Sequence, residues 1–433
     1  MNKEEIYNYC KKLAEDKHVE IMYREINSEN INFEKFDINK VENKESQRLF
    51  VRTINKGKIA DTTITDISKK NILEAIRKTL KISKLKTKTL ITDFGNQTSK
   101  RKIKQDKDIK DLNARDLIPE IKKNLTKEKY FKNYIGEANK INSYESYFNP
   151  YTSYKQESSY IDLSTYIVTK KNNKSSNGWH YQTFTKEKDI NVKNVFNQAK
   201  FNAYNQLSPK VGKKGEYDII LTPEVNKQIL SKFLLEASIG EDIKKGRSYL
   251  LDKKNKQIFS EKLSLYEEPF LDYFLGSQAI DDEGFKTSRK KIFEKGVFKK
   301  EIYDQENALK FSEKPTGNGF RNTLINQILT GHTNILQEPG KKSIEDIVSK
   351  TKKGILVYSI LGMHTNKIDT GEFTLVINSG KVIENGKYKE TITNLNFAGN
   401  IMDVYKNCEF SKEQKFSGSS LFSFAKLNKR KLI

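Results

Sequence analysis

Three tripeptides, Asn55-Lys-Gly57, Glu294-Lys-Gly296 and Glu384-Asn-Gly386, lie between runs in which apolar and polar residues alternate. Period-two alternation sends successive side chains to opposite faces of a strand. Asn and Gly tolerate the positive φ that a tight turn requires. Antiparallel hairpins are therefore expected in both the first and the last parts of the chain.

Helical patterns punctuate these strands. A charged helix is expected from Lys3 to Asp16, followed by strand-like runs at 19–26, 32–43 and 47–64. A second helix starts at Ser68, a suitable N-cap, and places Ile72, Ile76 and Leu80 on one face. Residues 84–110 are basic and lack apolar periodicity, so they read as a connector. The plan then repeats: a helix at 114–125, strands at 159–171 and 179–190 with a turn from Asn172 to Gly178, and a helix lined by Val192, Val195, Ala199 and Ala203. This order suggests an internal duplication. After Gly215 comes a strand at 216–222, then a helix capped by Thr222, opened by Pro223 and lined by Val225, Ile229, Phe233 and Ala237. The remainder is mostly β, at 290–304, 354–364 and 372–399.

The expected fold class is α+β: N-terminal strand and helix units, then a large antiparallel β-rich C-terminal domain with one embedded helix. The expected domains are 1–110, 111–212 and 213–433. A hydrophobic content of 36%, with 24 Phe and 21 Tyr, is enough for buried cores in a chain of 433 residues. No apolar run reaches the roughly 20 residues of a membrane helix, and the first residues lack the apolar stretch of a signal peptide. A cytoplasmic protein is expected. Cys10 and Cys408 stand at opposite ends of the chain and read as reduced thiols.

The formal net charge of +23 raises the possibility of nucleic-acid binding. The basic residues are interspersed with acids. The densest cluster, Ser99 to Lys104, runs straight into Gln-Asp-Lys-Asp, and the basic run Lys426 to Lys431 is terminal. Solubility and weak attraction to polyanions follow from that distribution, whereas a specific nucleic-acid site does not.

No phosphate loop, cysteine-pair metal cluster or His-Glu-x-x-His motif is present. His18, His180, His332 and His364 are scattered. His332 and His364 share the β-rich region and could meet at a metal, but more often such a pair occupies turns or surface. Asp281-Asp282-Glu283 precede Gly284 and read either as a polar turn or as acid and base groups. The tyrosine-rich run 143–160 suits strand packing better than base stacking. Residue types alone commit the chain to no reaction.

The order of segments carries more. The chain resembles the TldD/PmbA family (PmbA is also called TldE) in DINKVENKESQRLFVRTINKGKIADTTITDISKKNILEAI, SSNGWHYQTFTKEKDI, YDIILTPEVNKQIL and IKKGRSYLL. The resemblance continues through IDDEGFKTSRKKIFEKGVFKKEIYD, TGNGFRN, DTGEFTL, VIENGK and FAGNIMDVY. It implies relationship to zinc peptidases whose metal helix bears His-Glu-x-x-x-His, with a cysteine near the C-terminus as third ligand. Anchored on Lys245-Gly246-Arg247-Ser248, the first histidine position falls on Ser231, the glutamate on Lys232 and the second histidine on Glu236. Cys408 lies upstream of the ligand-cysteine position, and that region reads FSGSSLFSF at 416–424. Serine is a poor zinc ligand and an ammonium cannot accept a proton from water.

The resemblance therefore implies a PmbA/TldE-like chain that binds no zinc itself. It would pair with a TldD-like zinc subunit in a heterodimeric metallopeptidase that processes unfolded peptides, with a homodimer also open. Arg247, Ser248, Glu283, Gly284, Gly317 and Gly371 fall in the family's matching motifs, as substrate-channel or structural residues. Two alternatives stand beside this reading. One is a hydrolase acting alone through Asp281 to Glu283 with His332 or His364. The other is a basic nucleic-acid-binding protein, in keeping with the family's association with modulation of DNA gyrase.

Overall fold

The fold, taken from a computed structural model, is described for residues 1–16, 18–99, 101–172, 174–322 and 325–433. Lys100, in the basic cluster, and Asn173, in the turn expected at 172–178, lie outside the described residues. All three glycine turns close two-residue hairpins. Asn55 pairs with Lys58, Glu294 with Val297 and Glu384 with Lys387. Both central residues of each turn have positive φ, as in Lys56–Gly57 at 49° and 78°. This turn matches the right-handed twist of the flanking strands.

The N-terminal strands are long: β1 (Val19–Lys35), β2 (Asp37–Asn55), β3 (Lys58–Ile64), β4 (Phe131–Phe148), β5 (Ser153–Lys171) and β6 (Lys174–Phe184). They form one antiparallel sheet in the order β3-β2-β1-β4-β5-β6. The two sequence units thus meet at β1 and β4 and share a sheet that is continuous across the connector. Helices α1 (Lys3–Leu13) and α2 (Lys69–Leu85) cover one half of one face, burying Ile6, Cys10, Ile72 and Ile76 against Ile21, Tyr23, Leu49 and Val51. Helices Ile118–Asn124 and Val192–Asn205 cover the other half, against Phe33, Tyr134, Ile161 and Leu163. Ser68 caps α2 by accepting the Asn71 N–H.

Some expected boundaries move. The run 32–43 is two strands joined at Phe36, because Lys35 adopts a φ of 58° with no Gly or Asn to announce the turn. The tyrosine-rich run 143–160 is the end of β4, a turn and the start of β5. The 172–178 turn is tighter than expected, since β6 begins at Lys174. Thr222 stands at the N-cap position but its hydroxyl makes no cap bond.

In the C-terminal part, strands Ser420–Leu432, Gly215–Leu221, Lys353–Leu361, Glu372–Glu384 and Leu395–Asn400 pair successively, and the last returns to the first through Phe397 and Leu432, closing a barrel. The helix that begins at Pro223 contributes Val225, Ile229, Phe233 and Ala237 to its core, all at most 1% exposed. Among the described residues no helix is long and apolar enough to cross a membrane.

Candidate functional site

The buried stripe on the central helix has a spacing of four, repeated three times. An α-helix turns about 100° per residue, so the span from Val225 to Ala237 would overshoot three turns by roughly 120°. The chain absorbs the excess with a π-turn at Ser231–Leu235, after the regular helix Pro223–Leu230 and before a 3₁₀ turn at Glu236–Ser238. The Glu236 N–H donates to the Ser231 carbonyl, an i to i+5 bond that brings these two positions onto one face. A His-Glu-x-x-x-His motif has its histidines at that same i, i+5 spacing.

Irregular winding leaves carbonyls without their usual helical donors, and side chains supply replacements. Tyr249 Oη donates to the Phe233 carbonyl at 2.7 Å and Ser248 Oγ to the Ala237 carbonyl at 2.8 Å. The Leu235 carbonyl accepts from Ser238 Oγ at 2.7 Å and lies 3.1 Å from His332 Nε2. Gly246, at a φ of 69°, turns the chain so that Ser248 and Tyr249 come back along the helix. Arg247 faces outward and pairs with Asp242 at 2.5 Å while 54% exposed, an ion pair of small energetic weight. Gly371 packs against Tyr249 and Ile401, and the neighbouring Phe373 ring lies 5.7 Å from that of Phe233.

The three positions that the resemblance assigns to the metal motif thus sit on a turn whose i, i+5 spacing equals that of the motif, while carrying other chemistry. Lys232 Nζ lies 2.7 Å from Glu236 Oε1, with both side chains partly exposed. This is a self-neutralised pair beside a serine. The segment expected to replace the third ligand does approach the helix, since Lys227 Nζ donates to Ser417 Oγ at 2.7 Å. Cys408 is elsewhere, buried opposite Leu427 in a strand pair, and burial pushes its thiol up to about 12. Ser231, Lys232 and Glu236 offer one carboxylate, already occupied by an ammonium, and no imidazole or thiolate. That donor set does not fit zinc. Among the described residues no group of three or more His, Cys, Asp or Glu side chains is placed to hold a metal ion.

Ser238, His332 and Glu267 stand in the order of a nucleophile, imidazole and carboxylate, with Ser238 Oγ 3.4 Å from His332 Nε2 and His332 Nδ1 3.9 Å from Glu267 Oε2. Ser238 is completely buried and its hydroxyl is committed to the helix carbonyl, so the trio clamps the π-turn and does not present a nucleophile. Glu267 is held down to about 2: burial opposes its charge, but His332, Lys290 at 3.3 Å and the Thr333 N–H outweigh it. His364 is exposed in the short turn Met363–Thr365 and shares none of these partners.

The acids at 281–283 form a different centre, between the N-terminal sheet and the C-terminal part. Asp281 accepts the N–H groups of Glu283, Phe285 and Gly319. Asp282 accepts from Tyr154 Oη and the Arg321 N–H, and Glu283 accepts the Gln305 N–H while lying 3.9 Å from Arg52. Gly284 allows the approach of the connector: the Gln97 N–H donates to its carbonyl, and a Cβ there would stand 2.5 Å from the Gly95 oxygen. Gly317 packs as closely on the Lys286 carbonyl. Burial raises Asp281 to about 7 against its three N–H donors, and burial also raises Glu283 well above the usual carboxylate range, helped by Asp281 and opposed by Arg52. These acids are bound to backbone and arginine, and among the described residues no hydrogen bond or ion pair joins them directly to His332 or His364. Glu283 and Gly284 thus belong to the inter-sheet contact, Gly317 packs on the Lys286–Thr287 backbone within the C-terminal part, Ser248 and Gly371 lie beside the π-turn, and Arg247 pairs with Asp242 at the surface.

Sequence reasoning missed Tyr249 and His332 as partners of the helix. The four-residue stripe is compatible with a regular helix, as in α2, so no local signal announced the irregular turn or the donors for its loose carbonyls.

Comparison with known proteins bears on the family and the fold. The profile of the PmbA/TldA metallopeptidase C-terminal domain matches residues 214–429, and that of PmbA/TldA metallopeptidase domain 1 matches residues 19–83. The zinc metalloprotease TldD homolog of Saccharolobus solfataricus is 30% identical over 206 residues, 47% of this chain and 46% of that one. The metalloprotease PmbA homolog of Haemophilus influenzae is 29% identical over 206 residues, 47% of this chain and 42% of its own length. The chain thus spans about half the length of the curated relatives it matches. Among solved structures, TldE from Thermococcus kodakarensis superposes with a TM-score of 0.87 at 22% identity over 99% of both chains. A proposed modulator of DNA gyrase from Bacteroides thetaiotaomicron gives 0.87 at 20% identity over 99% of this chain and 98% of that one.

Proposed function

Because the chain belongs to the PmbA/TldD metallopeptidase family, we propose that it is a zinc-free, PmbA/TldE-like subunit working beside a TldD-like zinc subunit on unfolded peptides. One observation carries this reading. The helix carries a π-turn whose i, i+5 bond would set two histidines on one face, with side-chain donors on its free carbonyls, while the positions that the resemblance assigns to ligands and base hold Ser231, Lys232 and Glu236.

A turn of this shape without metal donors suits a wall that substrate passes better than a hydrolytic centre. Hydrolysis would then occur on the partner's zinc, which activates water in a way an ammonium–carboxylate pair cannot. The Ser248 and Tyr249 contacts support the same reading, because they rigidify the wall without offering an accessible nucleophile. Co-purification from the native host should recover a TldD-like subunit, and peptide hydrolysis should appear only when that subunit is present. Hydrolysis by the chain alone, abolished by mutating Asp281 or His332, would replace this reading with that of a stand-alone hydrolase.

A further inference from the structure

Residues 75–92 contain six cations, Arg77, Lys78, Lys81, Lys84, Lys86 and Lys88, and no Asp or Glu. All six side chains are exposed. Helix α2 buries Ile72, Ala75, Ile76 and Thr79 on the sheet, so its cations fall on the side turned to solvent. The fold adds two more. Lys88 pairs with Lys58 in an isolated bridge, the Thr89 N–H donates to the Gly57 carbonyl at 2.6 Å, and Lys58 Nζ donates to the Lys84 carbonyl at 2.8 Å. These bonds fasten the end of α2 to the β2–β3 turn and bring Lys56 and Lys58 to the same corner.

The eight cations lack counter-charges. Among the described residues none of them has a carboxylate oxygen within 4.0 Å. Asp61 lines one cavity with Lys86 but is held by Arg52 at 2.8 Å and by Arg321 at 3.3 Å. Glu74, one turn before Arg77, is the single acid in the sequence of α2. Like charges gathered in this way repel one another, and an anionic partner relieves that repulsion.

The apolar residues of the corner select the partner. Leu85 is 88% exposed and Leu90 59%. A nucleic-acid backbone makes no use of two aliphatic side chains, and residues 75–92 hold no aromatic ring on which a base could stack. An anionic lipid surface uses both features, since lysines gather at its headgroups while leucines enter the boundary with the acyl chains.

We propose that the corner formed by the end of α2, residues 86–90 and the β2–β3 turn docks on an anionic lipid surface, with Leu85 and Leu90 entering the headgroup layer. The chain lies on such a membrane and does not span it. Each lysine near the surface contributes about fivefold in affinity, so binding is reversible and screened by salt. This goes beyond the subunit reading and does not depend on it.

The test is co-sedimentation of the full chain with vesicles of phosphatidylcholine and phosphatidylserine in about a two-to-one ratio, and with phosphatidylcholine alone. The mixed vesicles should bind the chain and the neutral ones should not, and raising salt from about 0.05 M to about 0.5 M should release it. Lys84→Ala/Lys86→Ala/Lys88→Ala should weaken binding at least about thirtyfold. Leu85→Ser/Leu90→Ser leaves every charge in place and should weaken it about tenfold. All five side chains are exposed, so circular dichroism should match the parent. Lys256→Ala/Lys262→Ala/Lys295→Ala removes the same net charge from exposed positions in the C-terminal part and should change binding by less than about twofold. Absence of binding to the mixed vesicles would overturn the proposal. So would an equal loss from the C-terminal triple variant, or a leucine variant that binds like the parent. Saturable binding to a DNA duplex, with none to vesicles, would assign the corner to a nucleic-acid backbone instead.

Discussion

Replacing Arg321 by methionine probes the contact that joins the two parts of the molecule. The Arg321 guanidinium is 1% exposed, lies 2.9 Å from Glu20, whose side chain is 2% exposed, and reaches Asp61 at 3.3 Å. Methionine fills most of the aliphatic volume but leaves Glu20 in the interface facing Arg52 and the Tyr147 hydroxyl at 2.9 Å. Removing one partner of a buried ion pair costs about 3–5 kcal/mol, chiefly because the other charge stays desolvated. Arg52 still offsets part of that charge, so a loss near the lower end, about 3 kcal/mol, is expected at pH 8. Burial already raises the Glu20 carboxyl, and losing a cation raises it again. The penalty should therefore shrink on acidification, by at most about 1.4 kcal/mol per pH unit. Urea unfolding at pH 8 and pH 6, together with hydrogen exchange in β1 and β2, measures both quantities. The double variant Glu20→Gln/Arg321→Met removes the stranded charge and should recover at least about 1 kcal/mol relative to Arg321→Met alone. An Arg321→Met loss within about 0.5 kcal/mol of zero would refute the reasoning. So would a double variant no more stable than the single one.

Three further outcomes are expected. Asp281, raised to about 7, binds a proton more tightly in the folded than in the unfolded chain, so stability should fall as pH rises from about 4 to about 7 and then level off; Asp281→Asn should flatten that slope in pH-dependent urea midpoints. Glu267, lowered to about 2, contributes the opposite way, with stability present above about 4.5 and lost as pH falls towards 2; Lys290→Met should bring that acid transition to higher pH, as followed by circular dichroism. The triple variant S231H/K232E/E236H restores two imidazoles and a carboxylate to the π-turn. It should gain measurable zinc affinity by calorimetry over the parent, and no gain would show that the turn no longer suits a metal.

Parts of this fold were legible because local chemistry dictates them. The hairpins at Lys56–Gly57, Lys295–Gly296 and Asn385–Gly386 need glycine at positive φ, and Ser68 caps α2 with its own side chain. The stripe Val225, Ile229, Phe233, Ala237 located the helix, but the reading as one regular helix missed the π-turn at Ser231–Leu235. The hairpin at Phe36 was not legible, since Lys35 takes a left-handed conformation imposed by the long β1–β2 pairing. Nor was the burial of Asp281 to Glu283: their arginines and tyrosines come from β2, β5 and the segment after Gly319, far off in sequence.

The most direct test of the central claim is the metal content of the purified chain, measured per polypeptide by elemental analysis after expression in zinc-supplemented medium, alone and with a TldD-like subunit. The account expects far less than one zinc per chain in isolation and one per pair in the complex, located on the companion. One tightly held zinc per isolated chain, lost with activity on chelation, would contradict it.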